Sequence, residues 1–218
     1  MQTSKMDPSD AEIEITRVGK GVRFNLADLK ERTMRMETLA QEERRAAIRT
    51  KVYGALKPFK SYDVVNDWLA AFMYPAICAR KKFLVLSGPS TVGKSYFARS
   101  LVPTAALCEV NSANATHANL TLFKEGITRL ILWDEASADF IAANRKLMQH
   151  APVEIDTGMT ASGLFTKYYF LADACSVVCT NDWDQSVRDC KKLDARNWCT
   201  DNAVALRVSE HMWISASP

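Results

Sequence analysis

One eight-residue segment has the residue types and the spacing of a phosphate-binding loop. It fits G-x-x-x-x-G-K-[ST] at every fixed position and consists of Gly88, Pro89, Ser90, Thr91, Val92, Gly93, Lys94 and Ser95. The glycines of such a loop let successive backbone N–H groups point at phosphates, the lysine reaches the β- and γ-phosphates, and the hydroxyl binds Mg²⁺. We therefore predict that all eight residues bind a nucleoside triphosphate, with Lys94 catalytic and Ser95 a Mg²⁺ ligand.

Two acids follow the apolar run from Leu130 to Trp133. The first, Asp134, can hold Mg²⁺ through its water shell, and the second, Glu135, can orient or deprotonate an attacking water. An acidic helix start would place the same residue types here, since acids favour a helix N-terminus. The phosphate-binding loop upstream favours the catalytic interpretation of both acids.

Two more polar residues lie at or near the ends of apolar runs. Asn181 follows the run Ser176–Cys179, where it can contact a γ-phosphate and the lytic water, although asparagine is also common in turns. Arg207 lies in the run 203–208 and can project toward a neighbouring subunit's γ-phosphate as an arginine finger. The alternative for Arg207 is a surface arginine on an edge strand.

A hairpin is predicted between the two acids and Asn181. Two short strands surround turn residues from Gly158 to Gly163, and the second strand carries Lys167 and Tyr168. A lysine beside an aromatic residue can meet a phosphate and stack on a base of single-stranded nucleic acid. A solvated lysine on an edge strand is the alternative interpretation.

The elements that position these residues follow a strand-and-helix alternation. Continuous apolar runs indicate strands that are buried on both faces of a parallel sheet. The five runs are Phe83–Leu86, Ala106–Val110, Leu130–Trp133, Ser176–Cys179 and Ala203–Val208. Helix-length segments separate most of them, which predicts a three-layer α/β fold with a mainly parallel, five-stranded sheet. With the phosphate-binding loop after the first strand, this is a P-loop NTPase fold.

The chain is predicted to have three parts. Residues 1–24 are polar and lack periodicity, which favours a flexible tail. Residues 25–80 have helical periodicity and form a small helical region that can act as an oligomerisation collar. Residues 81–218 form the ATPase domain.

Composition limits the class of protein. The 218 residues are 48% hydrophobic and 24% charged, with a net charge of +3, which excludes a disordered chain, a collagen-like repeat and a coiled-coil rod. No run approaches the length of a membrane span. The six cysteines include no CxxC pair, and no histidine stands at zinc-ligand spacing, so we expect reduced thiols in an intracellular protein.

The order of the motifs resembles that of the superfamily-3 helicases. The resemblance is closest to the helicase half of the replication initiator (Rep) proteins of circular single-stranded DNA viruses. It is carried by GPSTVGKS, LILWDEA, GLFTKYYF and VVCTND and runs from about Phe83 to Arg207, a little over half of the chain. The resemblance implies an AAA+-like sheet, ATP and Mg²⁺ as cofactors, a homo-oligomeric ring of six subunits, and translocation on single-stranded DNA.

The same resemblance implies roles for individual residues. They are the nucleotide-loop pair Lys94 and Ser95, the acids Asp134 and Glu135, the polar Asn181, the hairpin's Lys167 and the finger Arg207. The family's nicking domain has a His-hydrophobe-His metal motif, whereas no histidine precedes His117 in this sequence. We therefore expect no DNA nicking or ligation.

Other functions stay open at this point. An RNA helicase of the same superfamily and another P-loop ATPase fit the same motifs. A non-catalytic, ring-forming module is disfavoured by Glu135. The loop also resembles that of guanylate kinases. A kinase, however, needs an acceptor-nucleotide site rich in arginine and tyrosine, and residues 101–128 hold few cations and no tyrosine.

Overall fold

The computed structural model describes residues 58–73, 81–112, 118, 120, 122–150, 154–159 and 166–214, with separate helical positions between 33 and 51. The chain divides into two compact units, Met1–Arg45 and Ala46–Pro218. The described positions of the first unit are helical and exposed. The predicted 1–24 tail lies outside the described residues.

From residue 58 onward, the described residues of the second unit form seven strands and six α-helices. The strands are β1 (Phe83–Ser87), β2 (Leu107–Asn111), β3 (Leu130–Asp134), β4 (Glu154–Met159), β5 (Thr166–Phe170), β6 (Cys175–Thr180) and β7 (Ala203–Arg207). The helices are α1 (Asp63–Met73), α2 (Lys94–Ser100), α3 (Ala138–Ala143), α4 (Arg145–Met148), α5 (Trp183–Arg188) and α6 (Leu193–Asn202). A 3₁₀ turn (Thr104–Ala106) precedes β2.

Five of these strands form one parallel sheet in the order β2-β3-β6-β1-β7. All residues of β1 are buried, as are all but the last residues of β3 and β6. The edge strands β2 and β7 are only partly buried. This gradient explains why the most continuous apolar runs form the centre of the sheet. The predicted α/β class and the five predicted strands are confirmed.

The sheet is covered on both faces. Alternate residues of β1 enter different core clusters, Leu84 and Leu86 on one side and Phe83 and Val85 on the other. The first cluster includes residues of α1 and α2, and the second includes residues of α3, α4, α5 and α6. Successive strand side chains point to opposite faces, so the fold has three layers with the sheet in the middle.

Helix α1 is part of the second unit. Its apolar residues Val65, Trp68, Leu69 and Phe72 have helical spacing, and they belong to or pack against the core cluster that contains Leu84. The indole Nε1 of Trp68 also donates to the carbonyl of Lys82 at 2.7 Å. An apolar helix face must be buried, so the boundary that we predicted between residues 80 and 81 does not separate this helix from the sheet.

Strands β4 and β5 pair antiparallel in a separate two-stranded sheet, as the hairpin prediction requires. The predicted turn, however, begins too early, because β4 continues through Gly158 to Met159. The register shifts between Asp156 and Met159, so positions 157 and 158 oppose the single residue 167. A glycine inside a strand often marks such a bulge.

A buried polar network lies at the base of this hairpin. Ser176 Oγ on β6 accepts from Trp133 Nε1 at 2.9 Å and lies 2.8 Å from His150 Nε2. His150 Nδ1 lies 3.0 Å from the carbonyl of Leu171, which follows β5. A carbonyl can only accept, so Nδ1 carries the proton and Nε2 accepts from Ser176. Burial lowers the pKa of His150 to about 4.

The described cysteines do not form disulfides. Cys108, Cys175, Cys179, Cys190 and Cys199 are buried free thiols, and burial raises the pKa of Cys175 and Cys179 to about 12. The described residues contain no group of three or more His, Cys, Asp or Glu that could hold a metal ion. They also contain no helix long and apolar enough to cross a membrane. The cellular compartment stays a prediction.

Candidate nucleotide-binding and catalytic site

The loop from Gly88 to Gly93 connects β1 to α2 and needs glycine at both ends. A Cβ on Gly88 would lie 2.0 Å from the carbonyl oxygen of Val208. Gly93 has a φ of +96° and is the N-cap residue of α2, and Thr91 between them also has a positive φ of 71°. Such backbone conformations form an anion-binding concavity of N–H groups.

Lys94 is the buried cation of this loop. The residue is 7% exposed, and Nζ donates to the carbonyls of Gly88 and Pro89 at 2.6 and 2.7 Å and to Asn181 Oδ1 at 3.3 Å. Burial lowers the pKa of Lys94, while Cys179 and the acids Asp134 and Glu135 oppose that shift. The ammonium is thus fixed at the loop where phosphate oxygens are predicted to bind.

Ser95 and Asp134 meet as the sequence analysis predicted for a Mg²⁺ site. Ser95 Oγ donates to Asp134 Oδ1 at 2.7 Å. A hydroxyl and one carboxylate are a ligand set that suits Mg²⁺, which takes its remaining ligands from substrate phosphates and water. The residues present therefore fit Mg²⁺ bound together with a nucleoside triphosphate.

The second carboxylate oxygen of Asp134 lies near Arg99, which in turn pairs with Glu109. Arg99 Nη2 lies 3.8 Å from Asp134 Oδ2 and pairs with Glu109, to which Nε also donates at 3.2 Å. Arg99 follows Ser95 by one helical turn, so the two side chains project from one face of α2. Sequence analysis missed Arg99 and Glu109, although the spacing of Ser95 and Arg99 would have indicated the first.

Glu135 directly follows β3 and lines the same cleft as Lys94. Its φ is 58°, an uncommon conformation for a residue other than glycine, asparagine or aspartate. Strained backbone of this kind costs about 1–3 kcal/mol and clusters at active sites. This conformation therefore agrees with the catalytic role that we predicted from its position after Asp134.

Asn181 lies beside the loop because β6 is the neighbour of β1. Its Oδ1 accepts from Ser90 Oγ at 3.3 Å and from Lys94 at 3.3 Å. Strand β6 lies between β1 and β3, and the carboxyl ends of parallel strands meet at one edge. The sheet order thus brings together Lys94, Asp134, Glu135 and Asn181, in agreement with the sequence analysis.

Arg207 lies outside this cleft. It ends β7, is 67% exposed, and its Nε and Nη2 donate to the two carboxylate oxygens of Asp184 at 2.7 and 2.8 Å. The pair raises the pKa of Arg207 and lowers that of Asp184. Because Arg207 is absent from the described lining of the cleft, a finger role would require a phosphate of another subunit.

Lys167 and Tyr168 lie on β5, within the two-stranded sheet. Their side chains are outside the part of the structure that can be described. Their contact with nucleic acid therefore stays a prediction from the sequence.

The cleft has a volume of about 750 Å³, within the usual range for ligand pockets. Eight of the predicted residues line it, whereas Gly88, Pro89 and Val92 of the predicted loop do not; the eight are Ser90, Thr91, Gly93, Lys94, Ser95, Asp134, Glu135 and Asn181. The cleft is also lined by groups that sequence analysis missed, namely Phe59, Tyr96, Arg99, Cys179, Thr180 and Trp213. Cys179 and Thr180 were recognisable as the end of β6. Phe59 and Trp213 come from segments far apart in the chain and show no motif.

The solved structures that the chain matches are distant. NtrX from Brucella abortus in complex with ATP matches with a TM-score of 0.41 and 14% identity, over 90% of this chain and 47% of that chain. The complex of the same protein with ADP has a TM-score of 0.38 and 16% identity, over 91% and 50% of the two chains. The apo C-terminal region of NrS-1 has a TM-score of 0.35 and 10% identity, over 69% and 46%.

The chain thus spans about half the length of the structures that it matches. No family model and no curated protein matches the sequence. The P-loop NTPase fold rests on the chain's own parallel sheet, its glycine loop after β1 and the acids after β3.

Proposed function

We propose that this protein is an ATP-hydrolysing helicase or translocase of the superfamily-3 type that acts on single-stranded DNA in replication. The observation that carries the proposal is the 2.7 Å contact between Ser95 and Asp134 in the cleft that Lys94 and Glu135 also line. Hydrolysis of a nucleoside triphosphate requires a phosphate-binding loop, magnesium ligands and a general base. The cleft has a candidate for each of them.

In the proposed reaction, Lys94 and the backbone N–H groups of residues 88–93 bind the phosphates. Ser95 and Asp134 would hold Mg²⁺, which would supply positive charge to offset the negative charge of the triphosphate. Glu135 orients a water molecule and takes its proton as the water oxygen bonds to the γ-phosphorus. The bond between that phosphorus and the β–γ bridging oxygen breaks, and ADP leaves with the electron pair. Asn181 holds Lys94 and contacts the γ-phosphate.

The helicase part of the proposal depends on the hairpin. The hairpin lies between the acidic strand β3 and the polar strand β6 in the chain, which is the order of motifs in superfamily-3 helicases. Lys167 opposes the bulge in β4, and bulges often redirect a strand next to functional sites. We therefore assign Lys167 and Tyr168 to the DNA contact.

The ring part of the proposal depends on Arg207. In a homo-hexamer, Arg207 would exchange Asp184 for the γ-phosphate bound to the neighbouring subunit. Arginine fingers of this kind raise turnover by about 10³–10⁵. Turnover per subunit should therefore rise with protein concentration until the ring is assembled.

The test is ATP turnover of the full chain with single-stranded DNA, with single-stranded RNA and with neither, at several protein concentrations. Lys94→Ala and Glu135→Gln are the controls for the site, and Lys167→Ala is the control for the hairpin. We expect DNA to raise turnover in the wild type and not in Lys167→Ala. Stimulation by RNA alone would favour an RNA helicase, and turnover indifferent to both would overturn the helicase proposal while leaving the ATPase.

A further inference from the structure

Two segments far apart in the chain meet beside the phosphate-binding loop. Phe59 and Trp213 form an antiparallel bridge, flanked by bonds from Lys60 N to Met212 O and from Ile214 N to Pro58 O, each 2.7 Å. This pattern makes Phe59 and Trp213 a non-hydrogen-bonded pair, whose side chains lie close together on one face. We call these two residues the aromatic pair.

The aromatic pair is fixed to the loop and to the helix that follows it. Met212 N donates to the carbonyl of Val92 at 3.0 Å, and a Cβ on Gly93 would lie 2.6 Å from Trp213 Cζ3. On the other side, Phe59 packs edge-to-face on Phe97 of α2, with ring centroids 5.5 Å apart. Both rings are therefore positioned relative to the start of α2, where the phosphates are predicted to bind.

Both rings also line the cleft. His211 stacks on Trp213, with centroids 4.7 Å apart and planes inclined by 15°, which fixes the plane of the indole. The loop, Lys94 and the acids provide the charges and donors for a triphosphate, whereas the two aromatic rings provide apolar surface. The cleft thus has one end suited to phosphates and one end suited to a flat, apolar group.

We propose that the aromatic pair is the nucleobase subsite, a deepening of the proposed function on which it rests. The ligand is a nucleoside triphosphate whose base packs against Trp213 and Phe59. An aromatic ring stacks on the π-face of a base, and all bases have such a face, so stacking discriminates little between them. The subsite should therefore bind ATP and GTP with similar affinity, and the base contact should change affinity by about tenfold to a hundredfold.

Calorimetric titration of the full chain with Mg-ATP, Mg-GTP and Mg-tripolyphosphate tests this subsite. Tripolyphosphate carries the phosphates without a base. We expect Trp213→Ala to weaken ATP and GTP binding by about tenfold or more, to leave tripolyphosphate binding unchanged, and Trp213→Phe to restore most of the loss. Equal losses for ATP and tripolyphosphate, or no loss for ATP, would overturn the subsite.

A second pair of variants protects the test against a folding defect. Tyr62 also packs edge-to-face on Phe97, at 5.4 Å, but it is not among the described residues that line the cleft. Phe59→Leu should weaken ATP binding several-fold and Tyr62→Leu should not, although both lose an aromatic contact with Phe97. Equal effects of the two variants on ATP would contradict the proposal. A wild-type chain that binds tripolyphosphate as well as ATP would overturn the subsite alone, and one that binds neither would overturn the proposed function too.

Discussion

The two ends of the cleft are built in different ways. The phosphate end is built around one strand, one loop and one helix that are contiguous in sequence, with the acids after β3 and Asn181 after β6 beside them. Its lysine is buried and donates three hydrogen bonds. The aromatic end comes from residues 58–60 and 212–214, joined by a single bridge. Its rings are half-buried rather than fully enclosed.

This difference separates two kinds of binding. At the phosphate end, charge and fixed donors act on a group of defined shape, and each change should affect catalysis strongly. At the aromatic end, contact with an apolar surface tolerates many planar partners, and each change should affect affinity moderately. The two ends meet at Gly93, whose missing side chain leaves room for Trp213.

The largest effect should come from the phosphate end, in Glu135→Gln. The amide keeps the shape of the carboxyl group but cannot accept the proton of water, so ATP turnover should fall by about 10²–10⁴. ATP affinity should stay within about twofold of the wild type, because Glu135 has no assigned role in binding phosphates. Single-turnover hydrolysis and equilibrium binding measure the two quantities. A turnover that survives the change would remove Glu135 from the mechanism.

The carboxylate of Asp134 can be disturbed without changing Asp134 itself. Glu109→Gln weakens the ion pair that positions Arg99, which in turn lies 3.8 Å from Asp134. Mutation of a residue that orients a metal ligand typically lowers metal affinity by about 10–100-fold. We therefore expect the Mg²⁺ concentration for half-maximal turnover to rise by about tenfold.

Saturating Mg²⁺ should restore most of the turnover of Glu109→Gln, since the residue acts through Arg99 and not on the substrate. A loss of turnover with an unchanged Mg²⁺ dependence would instead indicate a general structural defect. Arg99→Lys should show an intermediate shift, because lysine keeps the charge and loses the planar pairing with Glu109.

The junction of the two ends can be broken with Gly93→Ala. The new Cβ would meet Trp213 at 2.6 Å on a backbone with a φ of +96°, so both strain and displacement of the indole are expected. Gly126→Ala is the matched control, since Gly126 has a φ of +72° with nothing within 4 Å of the added Cβ. Urea unfolding should give a loss of about 1 kcal/mol for the control and about 2–3 kcal/mol for Gly93→Ala. Equal losses in the free energy of unfolding would show that Trp213 can move away from the new Cβ without destabilising the fold.

The smallest effect concerns the hairpin base, away from both ends of the cleft. The folded-state pKa of His150 is about 4, below the unfolded value of about 6.5. Burial causes the shift, and nearby Lys81 adds to it, while the Leu171 carbonyl opposes it. Between these two pKa values the unfolded chain binds one more proton than the folded chain. The contribution of neutral His150 to the free energy of unfolding is therefore fully present above about pH 6.5, and it is lost by roughly 1 kcal/mol per pH unit as the pH falls toward 4.

His150→Gln should remove this part of the acid sensitivity. The free energy of unfolding, measured in urea at pH 7.5 and at pH 5, should fall less for the variant than for the wild type. ATP turnover at neutral pH should change little, because His150 does not line the cleft in the described residues. An identical acid loss in both proteins would assign the sensitivity to other groups.

Which residues lie together at the phosphate end could be predicted from the sequence, because the information for their placement is local. The loop pattern, the acids after β3 and the asparagine after β6 each follow a buried strand, and parallel strands bring their carboxyl ends to one edge. The same logic placed five strands correctly. Predicting their positions required no information about contacts between distant segments of the chain.

The aromatic end could not be predicted because it depends on pairing across almost the whole second unit. Neither Phe59 nor Trp213 belongs to a motif, and only the bridge between them brings the rings to the loop. The same reason explains why helix α1 was assigned to a separate region, since its partner surface lies on the sheet. Gly158 was placed in the turn because a glycine at a bulge and one at a turn have the same sequence signal.

The most direct test of the account is the crystal structure of Glu135→Gln grown with Mg-ATP. We predict the triphosphate against residues 88–95, Mg²⁺ bound by Ser95 and Asp134, and the adenine against Trp213 and Phe59. A triphosphate bound in that way with its base turned out of the cleft would contradict the aromatic subsite alone. A triphosphate bound elsewhere, or a cleft that stays empty at saturating Mg-ATP, would contradict the nucleotide site itself.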